Sequence, residues 1–133
     1  MKIIQSILIW ISIIPLAILN GGLRDKIIAP VLGNKIALPL SGVILCVAIF
    51  FVTLIFLPKL KRGTMREYVL MGIVWLLLTN LFDLLMIAVE GRALTEYFAM
   101  FDVSTGNLWG LVVLTVLLAP VSVAKIKKLI VER

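Results

Sequence analysis

The stretch that decides the fold is residues 68–89, YVLMGIVWLLLTNLFDLLMIAV. Asp83 is the one charged residue among these 22. A helix of roughly 20 apolar residues crosses the hydrocarbon core of a bilayer. Because that core holds no water to hydrogen-bond the backbone, the stretch is predicted to be a membrane-spanning α-helix.

Three further apolar runs extend this pattern along the chain. Hydrophobic residues make up 62% of the 133 residues and charged residues only 15%, whereas about a quarter of a soluble domain is charged. The sequence therefore predicts an all-α fold, a single four-helix transmembrane bundle with short linkers. Its helices are expected at about residues 3–19, 36–57, 68–89 and 108–124.

The first and third linkers differ in character. Residues 20–35 contain Gly21-Gly22 and are expected to form a linker with one or two amphipathic turns at most. In residues 90–106, Leu94, Tyr97, Phe98 and Phe101 fall on one face of a helix. This spacing predicts a short helix that lies in the outer headgroup layer, anchored by its aromatic rings.

The distribution of lysine and arginine predicts the orientation. The N-terminus, the second linker and the C-terminal tail hold nine of these residues, and the other two linkers hold four. Basic residues are enriched in cytoplasmic loops, so both termini are expected in the cytoplasm. These clusters account for the net charge of +6 and are placed to contact anionic lipid headgroups. Membrane lipids are therefore the expected partners, and nucleic acid is not expected to bind.

Few residues are suited to catalysis or metal binding. The chain contains no histidine, and Cys46 is its single cysteine, in the middle of an apolar run. Without histidine, the commonest general base and the commonest metal ligand are missing. We therefore expect no catalytic residue, no bound metal and no cofactor.

The third helix carries polar residues that have no place in a plain membrane span. Thr79, Asp83 and Glu90 are spaced by four and seven, so they share one face. A carboxylate inside a membrane is costly and should face the bundle interior and find a partner. Arg24 is the preferred partner, because its long side chain can reach down from the outer surface. Arg92 is the alternative partner, but it follows Asp83 by nine residues, which on a continuous helix places it on nearly the opposite side.

These polar residues all fall in the outer half of the predicted bundle or near its middle. They could form a pocket that opens outward and holds a polar group or a lipid headgroup. They could equally form a buried network that holds the four helices in one arrangement. The candidate ligand or network residues are Arg24, Thr79, Asn80, Asp83, Glu90, Arg92 and Asn107, beside Asn20 and Ser41.

Several short motifs resemble those of a group of short, uncharacterised four-helix bacterial inner-membrane proteins. The motifs are Asn20-Gly-Gly-Leu-Arg24-Asp25, Trp75-Leu-Leu-Leu-Thr79-Asn-Leu-Phe82-Asp83, Gly91-Arg92, and Asp102 followed by Gly106 and Trp109. The chain departs from the group at Asp83, where glutamate is usual, and at Asn107, where arginine is usual. The resemblance implies the bacterial inner membrane and supplies no activity.

Three functions remain compatible with the sequence. The first is a small non-enzymatic membrane protein whose outward-facing polar site binds a lipid headgroup, a small ligand or a partner protein. The second is a subunit of an oligomeric transporter or channel, either a homo-oligomer or a larger membrane complex. The third is a lipid-modifying membrane enzyme, for which Asp83 and Glu90 would be the acid–base pair.

The predicted orientation can be tested by accessibility. In intact cells, a cysteine introduced by Glu96→Cys should react with a membrane-impermeant maleimide, whereas one introduced by Arg62→Cys should react only after the cells are opened. Reaction of both cysteines from the same side of the membrane would contradict the orientation.

Overall fold

The computed structural model describes residues 2–60, 62–99, 101–102 and 108–131, and within these ranges the chain is helical with no β-strand. The all-α prediction is therefore confirmed. Six α-helices follow one another: α1, Lys2–Leu23; α2, Ala29–Leu32; α3, Asn34–Phe56; α4, Met65–Val89; α5, Leu94–Ala99; and α6, Trp109–Ile126. Four helical stretches in these ranges are long and apolar enough to cross a membrane: Ile3–Leu32, Lys35–Lys59, Met65–Val89 and Trp109–Ile126.

The first helical stretch is longer than predicted. α1 runs through Gly21 and Gly22 into a π-helical segment, Arg24–Ile28, which leads directly into α2. The first interruption is Gly33, at a φ of 82°. The expected linker over residues 20–35 is therefore wrong. Glycine is common in membrane helices, and Pro30 lies in the first turn of α2, where proline is tolerated.

α4 begins ahead of its apolar run because Thr64 caps it. The Thr64 hydroxyl oxygen accepts a hydrogen bond from the Glu67 N–H at 3.3 Å, and the Glu67 carboxylate accepts one from the Thr64 N–H at 3.0 Å. This reciprocal capping box satisfies two of the N–H groups that the first turn of a helix leaves without partners. After α4, the short helix α5 forms where the aromatic spacing predicts one.

The four long helices pack as a ring around one core. α1 contacts α3 and α4, and α6 contacts the same two helices, so α1 and α6 lie diagonally across the bundle. The outside remains apolar: Leu8, Phe51 and Leu77 are 67%, 55% and 63% exposed. Such a surface suits lipid rather than water. The core contains Ile9, Ile13, Leu45, Ile49, Met71, Trp75, Val112, Val116, Ala119 and Val123.

The backbones of α4 and α6 meet at Gly72. These two helices form the most extensive pair in the described part of the bundle. A Cβ atom on Gly72 would lie 2.1 Å from the carbonyl oxygen of Leu117, well inside the contact distance of the two atoms. Small residues let membrane helices approach in this way, and the closer packing supplies dispersion energy that lipid cannot replace.

The second linker and the C-terminal segment are joined at one end of the bundle. Beyond α6, Lys128 has a φ of 53°, which turns the chain back, and the Val131 N–H donates to the Gly63 carbonyl at 2.7 Å. We call this the basic end, because six basic side chains among the described residues are exposed there. They are Lys59, Arg62, Arg66, Lys125, Lys127 and Lys128.

Gly72→Ala should destabilise the protein. The added methyl group must push α4 away from the Leu117 carbonyl, and overpacking of this kind typically costs about 1–3 kcal/mol. The measurement is the midpoint of thermal unfolding in detergent, followed by circular dichroism, which should fall by several degrees.

Gly22→Ala is the matched control, because a Cβ on Gly22 would meet no atom within 4 Å. Alanine favours the helix over glycine by about 1 kcal/mol, so this variant should unfold at the wild-type temperature or above it. Equal losses of stability in both variants would show that the α4–α6 approach is not what makes Gly72 necessary.

Candidate functional site

A cavity of ≈ 390 Å³, which we call the polar cavity, lies among the four long helices at the end opposite the basic end. It is located where α1 ends, where α3 and α6 begin, and beside the last turns of α4. Its apolar walls include Phe82 and Trp109. Its polar lining consists of Asn20, Arg24, Ser41, Asp83 and Arg92.

A smaller cavity of ≈ 60 Å³, the apolar cavity, adjoins the polar cavity toward the middle of the bundle. The lining residues that the two cavities share are Ala17, Leu45, Phe82, Asp83, Trp109 and Val112. The residues that line the apolar cavity but not the polar cavity are Trp10, Ile13, Ile14, Ile49, Thr79 and Val116. Asp83 therefore lies at the junction of a polar space and an apolar one.

The arginine on α1's side of the cavity is held by the π-helical segment. Arg24 is the first residue of this segment, and its Nε donates to the Asp25 carboxylate at 3.1 Å. Its Nη2 lies over Gly21, 3.8 Å from where a Cβ would be, and Gly21 lines the polar cavity. The π-helical widening at this position is a local irregularity of the type found frequently at functional sites.

Arg92 reaches the polar cavity because α4 ends in a Schellman motif. Gly91 has a φ of 70°, the Gly91 N–H donates to the Ala88 carbonyl, and the Arg92 N–H donates to the Ile87 carbonyl at 3.0 Å. The helix has therefore stopped before Arg92. The expectation that Arg92 is on the opposite side from Asp83 is wrong, because it assumed that the helix continues. The Arg92 Nη2 also donates to Glu90 at 2.9 Å.

Asp83 has no ion pair among the described residues, and its buried Oδ2 atom has no hydrogen-bond donor there. The predicted Asp83–Arg24 pair is therefore wrong. Arg24 pairs with Asp25, and Arg92 pairs with Glu90. Each arginine thus uses a carboxylate one or two residues away in sequence, and its side chain does not have to enter the bundle to reach it. A buried carboxylate oxygen without a donor is costly, so Asp83 is retained at an energetic disadvantage.

Ser41 and Asn20, which also line the polar cavity, form a hydrogen bond with each other. The Ser41 hydroxyl on α3 donates to the Asn20 side-chain carbonyl on α1, and both side chains are buried. This hydrogen bond fixes the distance between α1 and α3 at the cavity wall. It fits the interpretation of the polar residues as a packing network.

Thr79 and Asn80 also serve the packing of the bundle. The Trp10 indole N–H donates to the Thr79 hydroxyl at 2.9 Å, and the Trp10 ring meets Phe82 edge to face at 6.5 Å. The Asn80 carbonyl accepts from the Tyr97 hydroxyl, which ties α5 to α4. Burial raises the pKa of Tyr97, and the Asp83 carboxylate raises it further, so the hydroxyl remains a donor at neutral pH.

The structure thus brings together three of the seven predicted site residues, Arg24, Asp83 and Arg92, around the polar cavity. Thr79 lines the apolar cavity, whereas Asn80 and Glu90 line neither. Asn107 lies outside the described residues. Sequence reasoning did not find the apolar cavity. Trp10 was its one signal, since an indole N–H within an apolar run needs a partner, and Thr79 is that partner.

The chain matches no protein-family model, no curated protein and no solved structure. The geometry of the two cavities therefore carries the functional argument.

The two kinds of polar lining residue should respond to substitution with opposite signs. Asp83→Leu removes a buried oxygen that has no donor, so in ligand-free detergent it should raise the free energy of unfolding by about 1–3 kcal/mol. Thermal unfolding followed by circular dichroism measures the change.

Ser41→Ala is the contrasting variant, because it leaves the buried Asn20 carbonyl without its donor. It should lower the free energy of unfolding by about 1–3 kcal/mol. Destabilisation by Asp83→Leu comparable with that of Ser41→Ala would mean that Asp83 does have a stabilising partner.

Proposed function

We propose that the chain is a small, non-enzymatic multi-pass protein of the bacterial inner membrane that binds an amphipathic ligand from the outer side. The polar part of the ligand, a lipid headgroup or a small polar molecule, would occupy the polar cavity, and its apolar part would enter the apolar cavity. The observation that carries this proposal is the direct junction of the two cavities at Asp83.

The chemistry of the polar cavity suits an anionic group. Arg24 and Arg92 each use one nitrogen on a neighbouring carboxylate, Nε and Nη2 respectively, and each has further N–H donors. Arginine binds carboxylates and phosphates through two N–H groups at once, which gives such contacts geometric specificity. The cavity volume of ≈ 390 Å³ falls in the range of small-molecule sites.

The position of the cavity supports access from the outer side. The basic end, with its exposed lysine and arginine side chains, is the end that the positive-inside rule assigns to the cytoplasm. The polar cavity is at the opposite end, where α1 ends and α6 begins. In this orientation both termini are cytoplasmic, and α5 lies in the outer headgroup layer.

Binding is favoured over acid–base catalysis by the placement of the two carboxylates. An enzyme that used Asp83 with Glu90 would need both at one site. Asp83 lines both cavities, whereas Glu90 lines neither and accepts a hydrogen bond from Arg92. The charged side chains that do share the polar cavity are two cations and one anion, which is a set suited to recognition.

Arg24→Gln and Arg92→Gln should each weaken retention of the bound molecule by about 10-fold or more, because each removes a hydrogen bond from a charged donor. The measurement is native mass spectrometry of the protein released from membranes in mild detergent. Wild-type protein should carry a non-covalent adduct of discrete mass, and the two variants should show much less of it.

Lys26→Gln is the matched control, since Lys26 is an exposed cation two residues from Arg24 that does not line the polar cavity. It should retain the adduct as wild type does. Wild-type protein without an adduct, or equal retention in all three variants, would overturn the proposed function.

A further inference from the structure

The order of chemical groups along the two cavities indicates more than a general amphipathic ligand. Arg24 and Arg92 line only the polar cavity, Asp83 lines both, and Trp10, Ile13 and four others line only the apolar cavity. From the end of the bundle inward, the walls are therefore cationic, then anionic, then apolar. A ligand that satisfies all three must present an anionic group to the two arginines, a cationic group to Asp83 and an apolar group to the apolar cavity.

We propose that the ligand is a small zwitterion that carries an anionic group, an ammonium group and a compact apolar group on one carbon atom, namely an α-amino acid with an apolar side chain. This rests on the proposed function and specifies its ligand. The carboxylate would bind the guanidinium groups of Arg24 and Arg92. The ammonium would donate to Asp83, and the side chain would occupy the apolar cavity.

The Asp83 oxygen is the reason for an ammonium group. Its buried Oδ2 lacks a donor among the described residues, so a bound N–H group would recover a hydrogen bond that the protein alone does not make. A primary ammonium offers three donors and a positive charge to the carboxylate. A quaternary ammonium has no N–H and could rely only on the charge and on the aromatic rings of Phe82 and Trp109.

The apolar cavity accounts for the third group. Its volume of ≈ 60 Å³ is small, which suits a compact side chain better than a long acyl chain. Ile13, Ile49 and Val116 supply an apolar wall, and the Trp10 N–H is already used by Thr79. An apolar group that fills this space is removed from water, and this burial of hydrocarbon surface favours binding.

The order of groups separates this class from the common zwitterionic lipids. In a phosphatidylethanolamine the phosphate lies between the acyl chains and the ammonium. With its phosphate at Arg24 and Arg92 and its ammonium at Asp83, such a lipid would direct its chains away from the apolar cavity. In an α-amino acid all three groups branch from one carbon, so the carboxylate can face the arginines while the ammonium meets Asp83 and the side chain enters the apolar cavity.

The experiment titrates purified wild-type protein with L-leucine and with three compounds that each lack one group. These are 4-methylpentanoate, without the ammonium; 3-methylbutylamine, without the carboxylate; and glycine, without the side chain. Trp10 and Trp109 line the cavities, so tryptophan fluorescence reports occupancy directly, and calorimetry gives the affinity. Leucine should bind at least about 10-fold more tightly than each of the other three.

Asp83→Asn tests the assigned contact, since the amide keeps the shape of the side chain and removes its charge. In this variant the preference for leucine over 4-methylpentanoate should fall to about one. Glu96→Gln is the matched control, because it makes the same change on an exposed carboxylate that lines neither cavity and instead accepts from the Ala93 N–H. It should keep the wild-type preference, and circular dichroism should show both variants folded.

A last arm uses dihexanoyl phosphatidylethanolamine, in which an anionic phosphate lies between the ammonium and the acyl chains. Tighter binding of this lipid than of leucine would overturn the amino-acid proposal and identify a lipid headgroup as the ligand. Equal binding of leucine and 4-methylpentanoate to wild type would also overturn the inference. Neither result would affect the proposed function, which fails only if the arginine variants retain the native adduct or if wild type carries none.

Discussion

The approach of α4 to α6 at Gly72 sets the register on which the polar cavity depends. Gly72, Leu76, Thr79 and Asp83 follow one another at spacings of four, three and four, so they lie on one face of α4. The face whose backbone meets Leu117 at Gly72 continues, about three turns further on, to the carboxylate at the junction of the two cavities. The close contact of α4 with α6 at Gly72 thus sets which way Asp83 faces near the other end of α4.

The polar residues divide into two groups by their contacts, and this division separates the two interpretations that the sequence leaves open. Ser41 with Asn20, and Trp10 with Thr79, form hydrogen bonds between helices and hold the bundle in one arrangement. Among the described residues Asp83 has no such partner. It lines both cavities without joining the hydrogen bonds that connect the helices.

The helices and the residues of the cavity were predictable to different degrees. The cost of a carboxylate inside a membrane predicted that Asp83 faces the bundle interior, and Asp83 lines both cavities. The predicted position of Arg92 was wrong, because Gly91 takes a positive φ and ends the helix before it. The linker expected over residues 20–35 failed for a related reason. Glycine and proline interrupt helices in water, where a free backbone group finds a solvent partner, whereas in an apolar environment the chain keeps its helical hydrogen bonds through Gly21 and Gly22.

The sequence by itself determined that the chain is all-α with four long apolar helices, because run length and the need to pair every backbone group are local properties of the chain. It also determined which polar residues are unusual enough to require a role. Only the tertiary structure decided which of them meet. A hydrogen bond or ion pair tolerates a few tenths of an ångström, and that precision depends on the packing of α4 against α6 and on the turn at Gly91. No pattern along the chain specifies those distances. The sequence therefore could not show that Arg24 donates to Asp25 or that Asp83 faces the cavity.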